Sequence, residues 1–185
     1  MKILSEDVSA VRSISPKSQG NWGFFSSAKV QRGVAEYESQ LERDFFLLLD
    51  HDPSVIRFQH QPVRITFEDN HGKKKYYVPN VLVEFHNGKR VLVEIKDEDT
   101  FNTKRRQFEE RWTAARMFSE RNGVYFKIGA RKHIRTPRLA NIWFTLGSSK
   151  TKPLPEHLNT LLKLISFREC SKSFLSLLRG KWLLE

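Results

Sequence analysis

The chain has 185 residues, with 32 Lys and Arg against 21 Asp and Glu, a formal charge of +11 and a sequence pI near 9.9. Hydrophobic residues at 39%, including 14 Phe and 4 Trp, exclude a mostly disordered polymer and suffice for one core. The single cysteine, Cys170, excludes an internal disulfide framework and a cysteine-cluster zinc site, and no apolar run approaches the ~20 residues of a membrane span.

In chain order, residues 1–35 show weak periodicity and Ser/Gly/Asn punctuation, and read as an extended N-terminal arm with at most one short helix. Residues 1–20 carry polar and charged side chains throughout, unlike the apolar stretch of a signal peptide. From Glu38 to Asp50 the apolar positions Leu41, Phe45, Leu48 and Leu49 recur at helical spacing, and Asp52-Pro53 ends the helix. Three strand-like runs follow: Pro62 to Glu68, Lys75 to Phe85 and Lys89 to Lys96, separated by Asp69-Asn70-His71-Gly72 and His86-Asn87-Gly88. By pattern they form a three-stranded antiparallel meander.

A long helix is expected from Thr103 to Arg121, with Phe108, Trp112 and Ala115 on one stripe and Asn122-Gly123 as its stop. Val124 to Gly129 reads as a strand beside the sheet, whereas Leu139 to Leu146 is apolar but ambiguous in type. A helical tail follows the Gly147 to Pro155 linker. The order divides the chain into an arm over 1–35, a catalytic domain over 36–148 and a tail over 149–185, with an α/β core and a mixed sheet flanked by helices.

The second hairpin can be read in register. A three-residue His86-Asn87-Gly88 loop pairs Val81 with Val93 and Val83 with Val91 on one face, and Leu82 with Leu92 and Asn80 with Glu94 on the other. A two-residue loop would not stack the β-branched residues. The chosen register gathers Asn80, Glu94 and Lys96 on one sheet face, because alternate residues of a strand point the same way. A carboxylate and a lysine so placed suit metal-dependent phosphodiester hydrolysis; on spacing alone they equally describe a cross-strand salt bridge.

The text around these residues carries more. Val78-Pro79-Asn80 followed by Glu94-Ile95-Lys96 resembles the PD-(D/E)xK motif of the restriction-endonuclease-like fold. Glu38 to Phe45, Asp52-Pro53-x-Val55, Gln61-Pro62 and Tyr77 to Glu84 together resemble TnsA, the endonuclease subunit of heteromeric cut-and-paste transposons. The resemblance implies Mg²⁺ (with Mn²⁺ able to substitute), held by Glu42, position 80 and Glu94, and a catalytic lysine at Lys96. It also implies transposon-end DNA as substrate, a DDE-type TnsB-like transposase and an AAA+ TnsC-like ATPase as partners, and a bacterial cytoplasmic, nucleoid-associated location. The resemblance extends to CRISPR-associated transposons. Glu42 has a second reading, since Ser39-x-x-Glu42 is a helix capping box.

Position 80 departs from the family. Asn stands where the family has Asp, so one ligand brings no charge, and weak metal binding with little or no cleavage is expected. A catalytically silent DNA-binding and assembly subunit, or another nuclease of the same fold such as a resolvase or restriction enzyme, are the alternatives. For DNA contact, the expected residues are Lys104, Arg105 and Arg106 on the long helix, and Arg131, Lys132, Arg135 and Arg138 beyond the last strand. The last four belong to a stretch from Arg121 to Pro155 that holds eight basic residues and no acid.

Overall fold

A computed structural model describes the backbone of residues 2–7 and 22–148, with the side chains of 22–97 and 108–147. The expected tail over 149–185 lies outside the described residues. Helix α1 (Gln40–Asp50) starts where Ser39 caps it, its hydroxyl accepting the Glu42 N–H at 3.2 Å. The helix buries Leu41, Phe45, Leu48 and Leu49, the four positions its periodicity singled out.

The central sheet has the order β4-β7-β8-β9, with β4 (Val55–His60), β7 (Val81–Phe85) and β8 (Arg90–Lys96) antiparallel and β9 (Tyr125–Ala130) parallel to β8. A parallel neighbour requires a crossover, supplied by helix α2 (Glu98–Arg121). The β7–β8 register pairs Val81 with Val93 and Val83 with Val91, as the three-residue loop requires. Gly88, at φ 77°, takes the left-handed position of that turn, and the Phe85 N–H donates to the Lys89 carbonyl at 2.9 Å.

One sheet face presents Val81, Val83, Phe85, Val91, Val93 and Ile95 to α1 and to helix α4 (Pro137–Ser148), whose Leu139 and Ile142 complete the core. Each large apolar side chain sealed there contributes roughly 1.5–3 kcal/mol. The ambiguous run from Leu139 to Leu146 is thus helical. Helix α2 packs against β8 and β9, and a second core joins its Ala114 and Ala115 to Val63, Ile65, Phe67 and Tyr77. The result is a mixed sheet flanked by helices.

Two expectations need correction. The first strand of the central meander is Val55–His60, not Pro62 to Glu68. The run from Lys75 to Phe85 is not one strand: it splits into β6 (Lys74–Tyr77) and β7. β6 pairs with β5 (Arg64–Glu68), which pairs with β1 (Lys2–Asp7), in a separate three-stranded sheet. Val78-Pro79-Asn80 is the passage between the two sheets, and Pro79 has no N–H to continue a ladder.

The segment read as an arm also differs. It contains β1, and β2 (Gly23–Ser26) forms a hairpin with β3 (Val34–Tyr37). Phe25 of β2 meets Phe46 and Phe58 at ring separations of 6.0 and 6.3 Å, so the hairpin is packed on the core. Among the described residues no helix is long and apolar enough to cross a membrane.

Candidate active site

The passage between the two sheets opens a cleft of about 460 Å³, lined by Glu38, Glu42, Asn80, Glu94, Lys96, Lys74 and Arg111 among others. Strand alternation puts Glu94 and Lys96 on the same side of β8, and Lys96 Nζ lies 2.9 Å from Glu94 Oε1. The other carboxylate oxygen of Glu94 accepts the Tyr77 hydroxyl at 2.6 Å. Both partners are buried, and burial, together with the Glu94 charge, pushes the Tyr77 phenol well above its ordinary range. Tyr77 therefore stays a neutral donor that fixes how Glu94 is turned.

Asn80 follows Pro79 at the mouth of β7. Its Oδ1 accepts the Ile95 N–H at 2.8 Å, and its Nδ2 donates to Glu42 Oε1 at 3.1 Å. The remaining oxygen of Glu42 accepts the Glu38 N–H at 2.8 Å. One oxygen of Glu42 thus ties back to the residue before the Ser39 cap, and the other meets the Asn80 amide at the cleft. Burial pushes the Glu42 carboxyl up to about 6, opposed by the Glu38 N–H and reinforced by the Glu38 charge.

Gln61 completes the frame. Its backbone is left-handed at φ 44°, a sparsely populated conformation outside glycine, and its N–H donates to the Asn80 carbonyl at 2.8 Å. Phe108 of α2 lies beneath the lysine, its ring centre 5.2 Å from Lys96 Nζ, and stacks on Trp112 at 5.6 Å. Tyr77 and Phe108 escaped the sequence reading as site residues. A buried tyrosine needs a partner for its hydroxyl, which is a usable signal for Tyr77; for Phe108, helical spacing signals only a core stripe.

A divalent cation would draw its ligands from Glu42, Asn80 and Glu94. A hard cation is held by oxygens, preferentially charged ones. Here each carboxylate oxygen of Glu42 and Glu94 already has a donor, and Asn80 turns its NH₂ group, not its oxygen, toward Glu42. Among the described residues no three His, Cys, Asp or Glu side chains are grouped to hold a metal. As it stands the site does not fit Mg²⁺. The amide hydrogens sit against Glu42, where a cation's charge would be needed.

The expected DNA-contact residues are placed differently from one another. Arg131 pairs with Asp97, Arg135 Nε lies 3.0 Å from Asp44 Oδ2, and Arg138 donates to the His51 carbonyl at 3.2 Å. Lys132 is exposed on the short helix α3 (Arg131–Ile134). Lys104, Arg105 and Arg106 lie along α2, and their side chains fall outside the described residues.

A mixed α/β sheet with an acid and a lysine two residues apart on β8, a helix glutamate and a Pro-Asn entry strand defines a domain of the restriction-endonuclease-like class. Residues 52–129 match the family described as TnsA-like endonuclease N terminal. That stretch, less than half of the chain, is similar to a TnsA-like endonuclease domain, which supports a nuclease of the transposition type. No curated protein matches the chain.

Proposed function

We propose that this chain is the DNA-cutting subunit of a heteromeric cut-and-paste transposase, and that Asn80 holds its own cleavage down. The single observation that carries this reading is the Asn80 amide, which bridges the Ile95 N–H and the Glu42 carboxylate. The bridge satisfies the site's polar groups without a cation, and the Glu94–Lys96 pair beside it supports the hydrolase reading. The proposed substrate is transposon-end DNA, and the proposed partners are a DDE-type TnsB-like transposase and an AAA+ TnsC-like ATPase.

Mg²⁺, or Mn²⁺ in its place, is the cofactor proposed for the site once position 80 regains a carboxylate. A silent assembly subunit is the second reading, favoured by the same complete set of hydrogen bonds. The test uses labelled transposon-end DNA with Mg²⁺ and the partner transposase. Asn80→Asp is expected to cut one strand where the unaltered chain does not, and adding Lys96→Ala to that variant is expected to abolish the cut. No cleavage by Asn80→Asp with partners present sinks the enzyme reading, and cleavage that survives Lys96→Ala sinks the site assignment.

A further inference from the structure

The +11 charge is not spent evenly over the surface. The arginines beyond the last strand are engaged: Arg131 by Asp97, Arg135 by Asp44, and Arg138 by the His51 carbonyl. Lys75 is held between Asp69 and Glu110, at 2.8 and 2.6 Å. Near the cleft the situation is reversed. Among the described residues no acid pairs with Lys74, Arg64 or Arg111, although Lys74 and Arg111 line the cleft.

Arg64 and Lys74 share a sheet face with an aromatic ring. Strand alternation turns Lys74 and Tyr76 outward from β6 while Tyr77 goes into the core. Tyr76 is 61% exposed, a large ring left in water beside a cleft it also lines. The Arg64 guanidinium of β5 lies 5.2 Å from its ring centre, and among the described residues Arg64 Nε has no hydrogen-bond partner, with Asp7 of β1 opposite it in the register. Glu68 stands opposite Lys74 in the register but makes no ion pair with it among the described residues.

Cations beside an exposed aromatic ring are the chemistry that holds a nucleic-acid strand: charge for the phosphates and a π-face for a base. We propose that the outer face of β5–β6, with Arg64, Lys74 and Tyr76, and Arg111 at the cleft wall, grips an unpaired DNA strand beside the site. Tyr76 stacks the exposed base, while Lys74 and Arg111 take the phosphates leading to Lys96. A duplex without unpaired bases offers Tyr76 no π-face. The proposal rests on the reading of the substrate as DNA and adds which strand form the protein prefers and through which residues.

The experiment is fluorescence anisotropy with the full chain on two fluorescein-labelled probes, a blunt duplex and the same duplex with a single-stranded overhang. The unaltered chain is expected to prefer the overhang. Tyr76→Ala is expected to weaken overhang binding by about tenfold and leave the blunt duplex unchanged, with Tyr76→Phe keeping the preference. Lys74→Ala with Arg111→Ala is expected to flatten the salt dependence of overhang binding by about 1.4 in logarithmic slope. An overhang preference that survives Tyr76→Ala, or an unchanged slope, overturns this face while leaving DNA as the substrate. Absence of any DNA binding by the unaltered chain overturns both. A retained Tyr76-dependent preference in an Asn80→Asp protein that fails to cut supports the grip and sinks only the cleavage reading.

Discussion

Replacing Asn80 by Asp is expected to destabilise the metal-free protein. The amide donates to Glu42 Oε1 at 3.1 Å, so the substitution sets a second carboxylate at hydrogen-bond distance from the first. Two unit charges that close repel by about 5 kcal/mol at an effective dielectric of ~20. Taking up a proton is cheaper. Glu42 already sits at about 6, so protonating it at about pH 7.5 costs ~2 kcal/mol, and the O–H···O bond formed replaces the lost N–H···O bond. The expected loss is therefore about 2 kcal/mol at about pH 7.5.

The sign follows from proton counting. The folded variant binds one proton more than its unfolded chain, so its stability falls as pH rises above about 6, by ~1.4 kcal/mol per unit. Below about pH 6 the variant and the unaltered protein converge. A bound cation removes the need for the proton, and Mg²⁺ at a hundredfold excess over its Kd is expected to return about 2.7 kcal/mol. Urea unfolding at two pH values, with and without Mg²⁺, measures all three effects. An Asn80→Asp protein as stable as its parent at pH 7.5, and unmoved by Mg²⁺, refutes the reasoning.

Two further outcomes follow from the same geometry. Tyr77→Phe leaves the buried Glu94 Oε2 without its donor and is expected to cost about 1–3 kcal/mol in a thermal or urea melt; an unchanged melt contradicts the positioning role. Glu42, raised from 4.5 to about 6, contributes stability that is full below about pH 4.5 and is lost as pH rises to about 6, roughly 2 kcal/mol in all. Glu42→Gln is expected to remove that slope, and a slope that persists assigns it to another group.

Local chemistry was legible where partners lie close in sequence. The β7–β8 register followed from stacking Val81 on Val93 and Val83 on Val91, and from Gly88 in the left-handed turn position. Periodicity started α1 at Glu38, and the Ser39 cap sets its first residue at Gln40. What escaped depends on distant partners. Alternation over Lys75 to Phe85 reads as one strand because period two carries no label for the sheet it belongs to; Pro79 is where the chain changes sheets. The strands before α1 are short and partly exposed, so their apolar pattern is faint.

The site was legible in its members and not in its wiring. Glu42, Asn80, Glu94 and Lys96 do converge, yet nothing in their spacing shows that the Asn80 NH₂ faces Glu42 or that Tyr77 holds Glu94. The acid-free run after Arg121 looked like an open basic face for the same reason. Asp44, Asp52 and Asp97, which lie beside its arginines, are remote in sequence.

On the proposed reading, the Asn80 amide stands where a cation would otherwise bind. Free Mn²⁺ has a sharp six-line paramagnetic resonance spectrum that is lost on binding, so titrating equal concentrations of protein into Mn²⁺ reads occupancy directly. The unaltered chain is expected to leave the signal intact, and Asn80→Asp to remove about one equivalent. Equal, tight binding of one Mn²⁺ by both proteins would contradict the claim.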